Sequence, residues 1–119
     1  MKKVFLLSIA LIIGVAVSAQ DWANFGKYGK ANKVKPVICS VLPATAYYWH
    51  PHVKGAADEI LKLNSLLYQY AKSNRIKYVD FHSLMRDEHN GLPKDFAGDG
   101  VHPNINGYQI MEQVIVRYL

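Results

Sequence analysis

The fold is decided by one apolar stretch, Pro36-Val37-Ile38-Cys39-Ser40-Val41-Leu42. It is rich in β-branched residues, shows no polar alternation and stops at Pro43. Such a run is typical of a strand buried on both faces, as in a parallel sheet covered by helices. The only cysteine, Cys39, lies within it and cannot form an internal disulfide. We therefore expect Cys39 to be a buried packing residue.

The residues after this strand predict a βαβ unit. Ala44 to Lys54 has neither helical nor strand periodicity and is expected to form a loop. Gly55 to Ser73 is typical of an amphipathic helix, with Asn74 as a left-handed stop. Its apolar stripe consists of Ile60, Leu63, Leu67, Tyr70 and Ala71. Ile76 to Phe81 predicts a second strand, and strands joined by a helix are expected to be parallel.

Two further segments complete the pattern. A closing helix is predicted from about Asn104 to Tyr118, with Tyr108, Met111 and Ile115 among the residues facing inward. Before the first strand, a short helix is predicted within residues 20–32, because its aromatic residues recur every three positions. These residues are Trp22, Phe25 and Tyr28. The sequence therefore predicts an α/β fold with two parallel strands and flanking helices.

The N-terminus has the three parts of a secretory signal peptide. Met1-Lys2-Lys3 is positively charged, Val4 to Val17 is apolar, and Ser18-Ala19 supplies small residues for cleavage. An uncleaved membrane anchor is the alternative. We expect a signal peptide of residues 1–19, cleaved after Ala19, and a secreted or periplasmic domain from Gln20 to Leu119 that has no membrane span.

The charge distribution excludes one class of partner. The formal net charge is +5, but the lysines are scattered along the chain. Nucleic-acid binding requires a clustered basic face, and export also argues against it. The sequence therefore predicts no nucleic-acid partner, and it does not indicate an oligomeric state.

The stretch with catalytic potential runs Asp99-Gly100-Val101-His102-Pro103-Asn104-Ile105-Asn106-Gly107-Tyr108. A carboxylate near an imidazole can fix the tautomer of the ring and stabilise its protonated form. The imidazole is a good general base near neutral pH. Its position after the last strand suits a site at the carboxyl end of the sheet. The alternative is that Asp99 caps a turn and His102 merely precedes a helix.

These ten residues together resemble the last signature block of the SGNH (GDSL-type) esterase and lipase-acylhydrolase family. The similarity continues over residues 38–43, which resemble the penultimate core strand, and over residues 78–85, which resemble the last strand and the turn after it. Residues 20–32 resemble the segment that follows the signal peptide in secreted members, especially those of Bacteroidetes.

The resemblance implies that residues 36–119 form the C-terminal part of a flavodoxin-like SGNH hydrolase fold. It implies that His102 is the general base of a Ser-His-Asp mechanism and that Asp99 orients it. The substrate class would be a small-molecule or glycan carboxylic ester, such as acyl or acetyl groups on glycans or lipids. No cofactor and no metal are implied.

This sequence lacks the nucleophile of the family that it resembles. The family's Gly-Asp-Ser-type block and its oxyanion blocks with Gly and Asn do not occur in this sequence. None of the serines after the signal peptide lies at a strand-to-turn elbow. They are Ser40, Ser65, Ser73 and Ser83. Residues 20–35 look like a residual N-terminal segment and a junction, near Lys30 to Lys33, across which the first half of a family member is deleted.

Two expectations follow from these missing blocks. The chain alone should be inactive, because a general base needs a nucleophile and an oxyanion needs donors. The alternative from another functional class is a non-catalytic exported binding or interaction module, whose exposed strand edges recruit a partner.

The loop after the first strand holds the remaining candidates. Tyr47, Tyr48 and Trp49 are candidate substrate-binding residues, as an aromatic wall for an acyl group or a sugar ring; alternatively they pack onto the helix of residues 55–73. His50 and His52, with His82 or His89 as a third ligand, are an alternative zinc site. We favour solvated histidines, because the spacing matches no zinc motif that we recognise.

Overall fold

The computed structural model describes residues 6–7, 27 and 29–119. Residues 27 and 29–31 are helical. The other elements are β1 (Leu6–Leu7), β2 (Val37–Cys39), α1 (Ala56–Ser73), β3 (Lys77–Val79), α2 (Phe81–Met85) and α3 (Ile105–Ile115). The predicted aromatic stripe of Trp22, Phe25 and Tyr28, and the signal peptide apart from residues 6–7, lie outside the described residues.

The described sheet is parallel, with the strand order β1-β2-β3. Ile38 pairs with Tyr78, and the ladder extends to a hydrogen bond of 2.9 Å from Ser40 N to Val79 O. The α/β prediction of two parallel strands with flanking helices is therefore confirmed. The pairing of β1 with β2 was not predicted, because Leu6–Leu7 lies within the predicted signal peptide.

The strand β2 is shorter than the apolar run because a helix side chain takes over its hydrogen bonding. Val41 N donates to Oδ1 of Asn64 at 2.7 Å, and Nδ2 of Asn64 donates to Val41 O at 3.0 Å. Asn64 is a buried residue of α1. Its amide thus satisfies both backbone groups of Val41, as a neighbouring strand would do.

Side chains alternate across β2 and divide the core into two layers. Ile38 packs against the α1 side, in a cluster with Leu67, Ala71 and Ile76. Val37 and Cys39 belong to the opposite cluster, which also contains Val79, Phe81, Met85, Leu92, Ala97 and Val114. Cys39 is buried as expected, and burial raises the pKa of its thiol. Each face of the sheet is therefore covered by helical or loop residues.

The left-handed residue after α1 lies one position later than predicted. Asn74 has φ −99°, and Arg75 takes the left-handed conformation with φ 54°. The Asn74 side chain instead donates to Tyr70 O at 2.9 Å. Asn74 therefore caps the helix through its amide rather than through its backbone conformation.

The inward face of α3 differs from the prediction. Gly107 and Val114 are buried, and Met111 and Ile115 pack partly buried against the core, but Tyr108 is 59% exposed. The prediction that Tyr108 faces inward is therefore wrong. A Cβ atom at position 107 would lie 2.6 Å from the carbonyl oxygen of Phe96. The helix thus presents its glycine to the preceding loop, and the next residue points outward.

None of the helices in the described ranges is long and apolar enough to cross a membrane.

Candidate functional site

Asp99 organises the turn that precedes α3. Its Oδ1 accepts hydrogen bonds from Val101 N at 2.9 Å and from His102 N at 2.8 Å. Its Oδ2 lies 2.7 Å from His102 Nδ1. Gly100 has φ +76°, a backbone conformation that residues other than glycine rarely adopt. The spacing of three residues therefore brings the carboxylate onto both the backbone and the ring of His102.

These contacts fix the ionisation of Asp99. The backbone N–H of His102, then its ring, then the N–H of Val101 lower the pKa of Asp99 from 3.8 to about 2. The carboxylate is consequently charged near neutral pH and accepts the Nδ1 proton of the imidazole. That hydrogen bond assigns the tautomer whose lone pair is on Nε2. The pair thus has the arrangement that a general base requires.

The turn is anchored at both ends. Asn104 N donates to Phe96 O at 2.7 Å, and the Asn104 side chain donates to Asp95 O at 3.0 Å. The same side chain accepts from Gly107 N at 3.1 Å and caps α3. Gly100 N donates to Ala97 O at 3.0 Å, and Ala97 is fully buried. The turn that carries Asp99 and His102 is therefore held between the buried Ala97 and the cap of α3, whereas His102 itself is exposed.

Trp49 contacts His102 directly. The indole and imidazole rings stack with centroids 5.6 Å apart and 26° between their planes. Tyr47 meets the indole edge-on, with centroids 5.8 Å apart. Local spacing could not have revealed this contact, because it joins the loop after β2 to the turn before α3. The only advance signal was the expected placement of both segments at the carboxyl end of the sheet.

Tyr48 points elsewhere and is 72% exposed. It lines a pocket of about 190 Å³. The remaining lining residues are Thr45, Ala46, Asp87, Gly91, Leu92, Pro93, Lys94, Gly98 and Gly100. Because Gly98 and Gly100 flank Asp99, this pocket adjoins the turn that carries Asp99 and His102. The three aromatic residues therefore have different neighbours: Trp49 lies at the imidazole, Tyr47 packs against Trp49, and Tyr48 lies at the pocket.

The four candidate serines are all described, and they lie away from the imidazole. Ser40 is buried, and its Oγ accepts a hydrogen bond from His82 N at 2.8 Å. Ser65 and Ser83 line a second pocket of about 330 Å³ between α1 and β3, and Ser73 ends α1. Within the described ranges, no serine hydroxyl forms a hydrogen bond with His102.

The histidines of the alternative zinc site are divided among different environments. The rings of His50 and His52 meet edge-on with centroids 5.4 Å apart. His82 is buried, its Nε2 has no hydrogen-bond partner, and burial lowers its pKa. His89 is exposed, 3.7 Å from Glu88. Over the part of the chain that the structure describes, no three His, Cys, Asp or Glu side chains form a group suited to a metal ion.

The sequence profile of the GDSL-like lipase/acylhydrolase family matches residues 22–110. A GDSL-like lipase from Bacteroides thetaiotaomicron is 37% identical, with a TM-score of 0.76 over 83% of this chain and 49% of that chain. A proposed acylhydrolase from Bacteroides fragilis is 35% identical, with a TM-score of 0.75 over 83% of this chain and 50% of that chain. A search of curated proteins found no significant match.

A proposed lipolytic protein of the G-D-S-L family from Desulfitobacterium hafniense shares the fold, with a TM-score of 0.67 over 84% of this chain and 53% of that chain, at 22% identity. The chain thus spans about half the length of the solved structures that it matches. The profile match and the two Bacteroides relatives show that it belongs to the GDSL-like lipase/acylhydrolase family.

Proposed function

We propose that this chain carries the proton-transfer half of a Ser-His-Asp carboxylic-ester hydrolase site, with His102 as general base and Asp99 as the residue that orients it. The observation that carries the proposal is the 2.7 Å contact between His102 Nδ1 and Asp99 Oδ2. It is supported by membership of a family named for lipases and acylhydrolases.

The mechanism follows from this geometry. Nε2 of His102 accepts the proton of a serine hydroxyl while the serine oxygen attacks the ester carbonyl carbon. The imidazolium is stabilised by the ionised Asp99, and it gives the proton to the alcohol oxygen as the ester C–O bond breaks and leaves an acyl-serine. His102 then accepts a proton from the water that attacks the acyl-serine, and it gives that proton to the serine oxygen as the acid is released. None of the four candidate serines is placed for this step. The proposal therefore includes that the chain alone does not hydrolyse esters.

The pocket lined by Tyr48 bears on the substrate. Its volume of about 190 Å³ is below the roughly 300 Å³ at which sites for drug-sized ligands begin. We propose that it receives a short acyl group, such as the acetyl group of a decorated glycan. The exported location expected from the signal peptide belongs to the same proposal, since glycans and lipids are accessible there.

The test uses a fluorophosphonate probe and a short-chain nitrophenyl ester. We expect neither serine labelling nor hydrolysis above background by the chain alone. We expect labelling when the chain is mixed with the half of the Bacteroides thetaiotaomicron relative that it does not cover, and loss of that labelling with His102→Ala. Stoichiometric labelling of a serine in the chain alone, dependent on His102, would contradict the proposed inactivity. Labelling of the mixture that persists in His102→Ala would contradict the role of His102.

A further inference from the structure

The imidazole of His102 has a second partner besides Asp99. Its side chain is 68% exposed and, in the described ranges, is tied by one side-chain hydrogen bond. A single hydrogen bond at Nδ1 still permits the ring to tilt and turn about that contact. The stacked indole of Trp49 covers one face of the ring and opposes such movement.

Trp49 is itself held in place. Tyr47 packs edge-on against the indole, and His50 N donates to Tyr47 O at 2.9 Å, which closes the loop around Trp49. Trp49 as a whole residue is 48% exposed, so about half of its surface is covered. Two successive ring contacts, from Tyr47 to Trp49 and from Trp49 to His102, thus connect the loop after β2 to the turn that carries His102.

We infer that Trp49 is a positioning residue for His102, which holds the imidazole in the orientation that directs Nδ1 to Asp99 and keeps the lone pair on Nε2. This assignment differs from a substrate wall, because the indole face is occupied by the catalytic ring. It rests on the proposed function, yet it makes a separate claim about the structure of the chain alone.

The test is nuclear magnetic resonance of the five histidine rings in the full chain. Imidazole ¹⁵N shifts distinguish the Nδ1–H tautomer from the Nε2–H tautomer, and His102→Gln identifies the signal of His102. Aromatic pairs contribute about 0.5–1.5 kcal/mol, and the lower part of this range, which suits a pair as exposed as this one, is equivalent to a factor of about two to five. We expect Trp49→Leu to lower the ratio of Nδ1–H to Nε2–H at His102 by about two- to fivefold, and to remove the ring-current shift of its carbon-bound protons.

Matched variants make the outcome decisive. Trp49→Phe retains an aromatic face and should restore much of the tautomer ratio. Tyr48→Leu changes an exposed neighbour that lines the pocket, and it should leave the His102 signals unchanged. An unchanged ratio in Trp49→Leu would overturn the inference, as would an equal effect of Tyr48→Leu. If Trp49→Leu fails to fold, Trp49→Phe decides the outcome. A ratio of Nδ1–H to Nε2–H in Trp49→Phe that is no higher than in the unfolded chain would overturn the inference.

The failure of either idea remains recognisable. The tautomer ratio is measured without substrate or serine, so an absence of esterase activity in every mixture leaves this result intact. Conversely, His102-dependent serine labelling of the mixture, with an unchanged tautomer ratio in Trp49→Leu, would support the proposed function and reject the positioning role.

Discussion

At the scale of single residues, the carboxylate of Asp99 contacts both the backbone and the ring of His102. One carboxylate oxygen accepts hydrogen bonds from two backbone N–H groups, and the other contacts Nδ1 of the imidazole. Because all these partners favour the charged form, the pKa of Asp99 is lowered to about 2. Asp99 therefore does cap a turn, as the alternative interpretation of the sequence expected. This capping does not exclude a catalytic role.

The lowered pKa predicts a pH dependence for Asp99→Asn. When the pKa of a carboxylate is lower in the folded than in the unfolded chain, its ionised form stabilises the fold at any pH above the pKa of the unfolded chain. This stabilisation is lost as the pH falls through the pKa of the folded chain. The urea midpoint of the wild type should therefore be higher than that of Asp99→Asn near pH 6. The difference between the two midpoints should disappear between about pH 4 and pH 2. Urea unfolding at several pH values measures it. A gap that stays constant down to pH 2 would contradict the role of the charge.

The pairing of Asp99 with His102 was predicted from the ten-residue resemblance of residues 99–108, since the spacing of Asp99 and His102 alone is a weak signal. Their turn is built from consecutive residues, so the carboxylate can reach both the backbone and the ring. The contacts of Trp49 with His102 and of Asn64 with Val41 join segments that are distant in the chain. Asn64 also lies on a helix where a polar residue would ordinarily face water, and its burial follows only from the unpaired backbone of Val41. Such contacts depend on tertiary packing, which one sequence does not reveal.

At the scale of elements, the position of α3 is set by a glycine. Val114 and the partly buried Met111 anchor its apolar face, but Gly107 allows its first turn to approach the carbonyl of Phe96. The cap at Asn104 and the turn of residues 99–102 immediately precede this contact. A change at Gly107 is therefore expected to act on the candidate site as well as on stability.

Gly107→Ala is expected to destabilise the chain by about 1 to 3 kcal/mol, because the new methyl group would overlap backbone atoms of Phe96. This loss should exceed the gain of about 1 kcal/mol that alanine usually brings to a helix interior. Urea unfolding measures the difference. Gly98→Ala is the matched control, since a Cβ atom at that position meets nothing within 4 Å. Equal stabilities of the two variants would contradict the steric explanation.

Element type was easier to predict than element length or register. The apolar run after Pro36 and the amphipathic stripe of α1 are long patterns, and both gave the correct element. The strand β2 ends early because the amide of Asn64 replaces a strand partner, and the outward position of Tyr108 follows from the inward position of Gly107. A hydrophobicity pattern does not count glycine as an inward residue, although a close approach can require one.

At the scale of the whole molecule, the sheet depends on what happens to the N-terminus. Leu6–Leu7 pairs with Val37 and Ile38 along one side of β2. The same two residues fall within the proposed signal peptide. Removal of residues 1–19 would therefore take away β1 and uncover that side of β2, a feature that the alternative exported interaction module would use to recruit a partner.

Processing of the N-terminus is thus the prediction with the largest consequence. On expression in a Gram-negative host, we expect the exported chain to begin at Gln20, because Ser18-Ala19 supplies the small residues that signal peptidase requires. Intact mass measurement of the periplasmic fraction determines the N-terminus. Ala19→Arg should block cleavage and retain Met1, whereas Lys30→Arg, outside the signal peptide, should be processed normally. A periplasmic chain that retains Leu6–Leu7 in the unmodified protein would refute cleavage. It would also mean that β1 remains available to pair with β2 in the exported molecule.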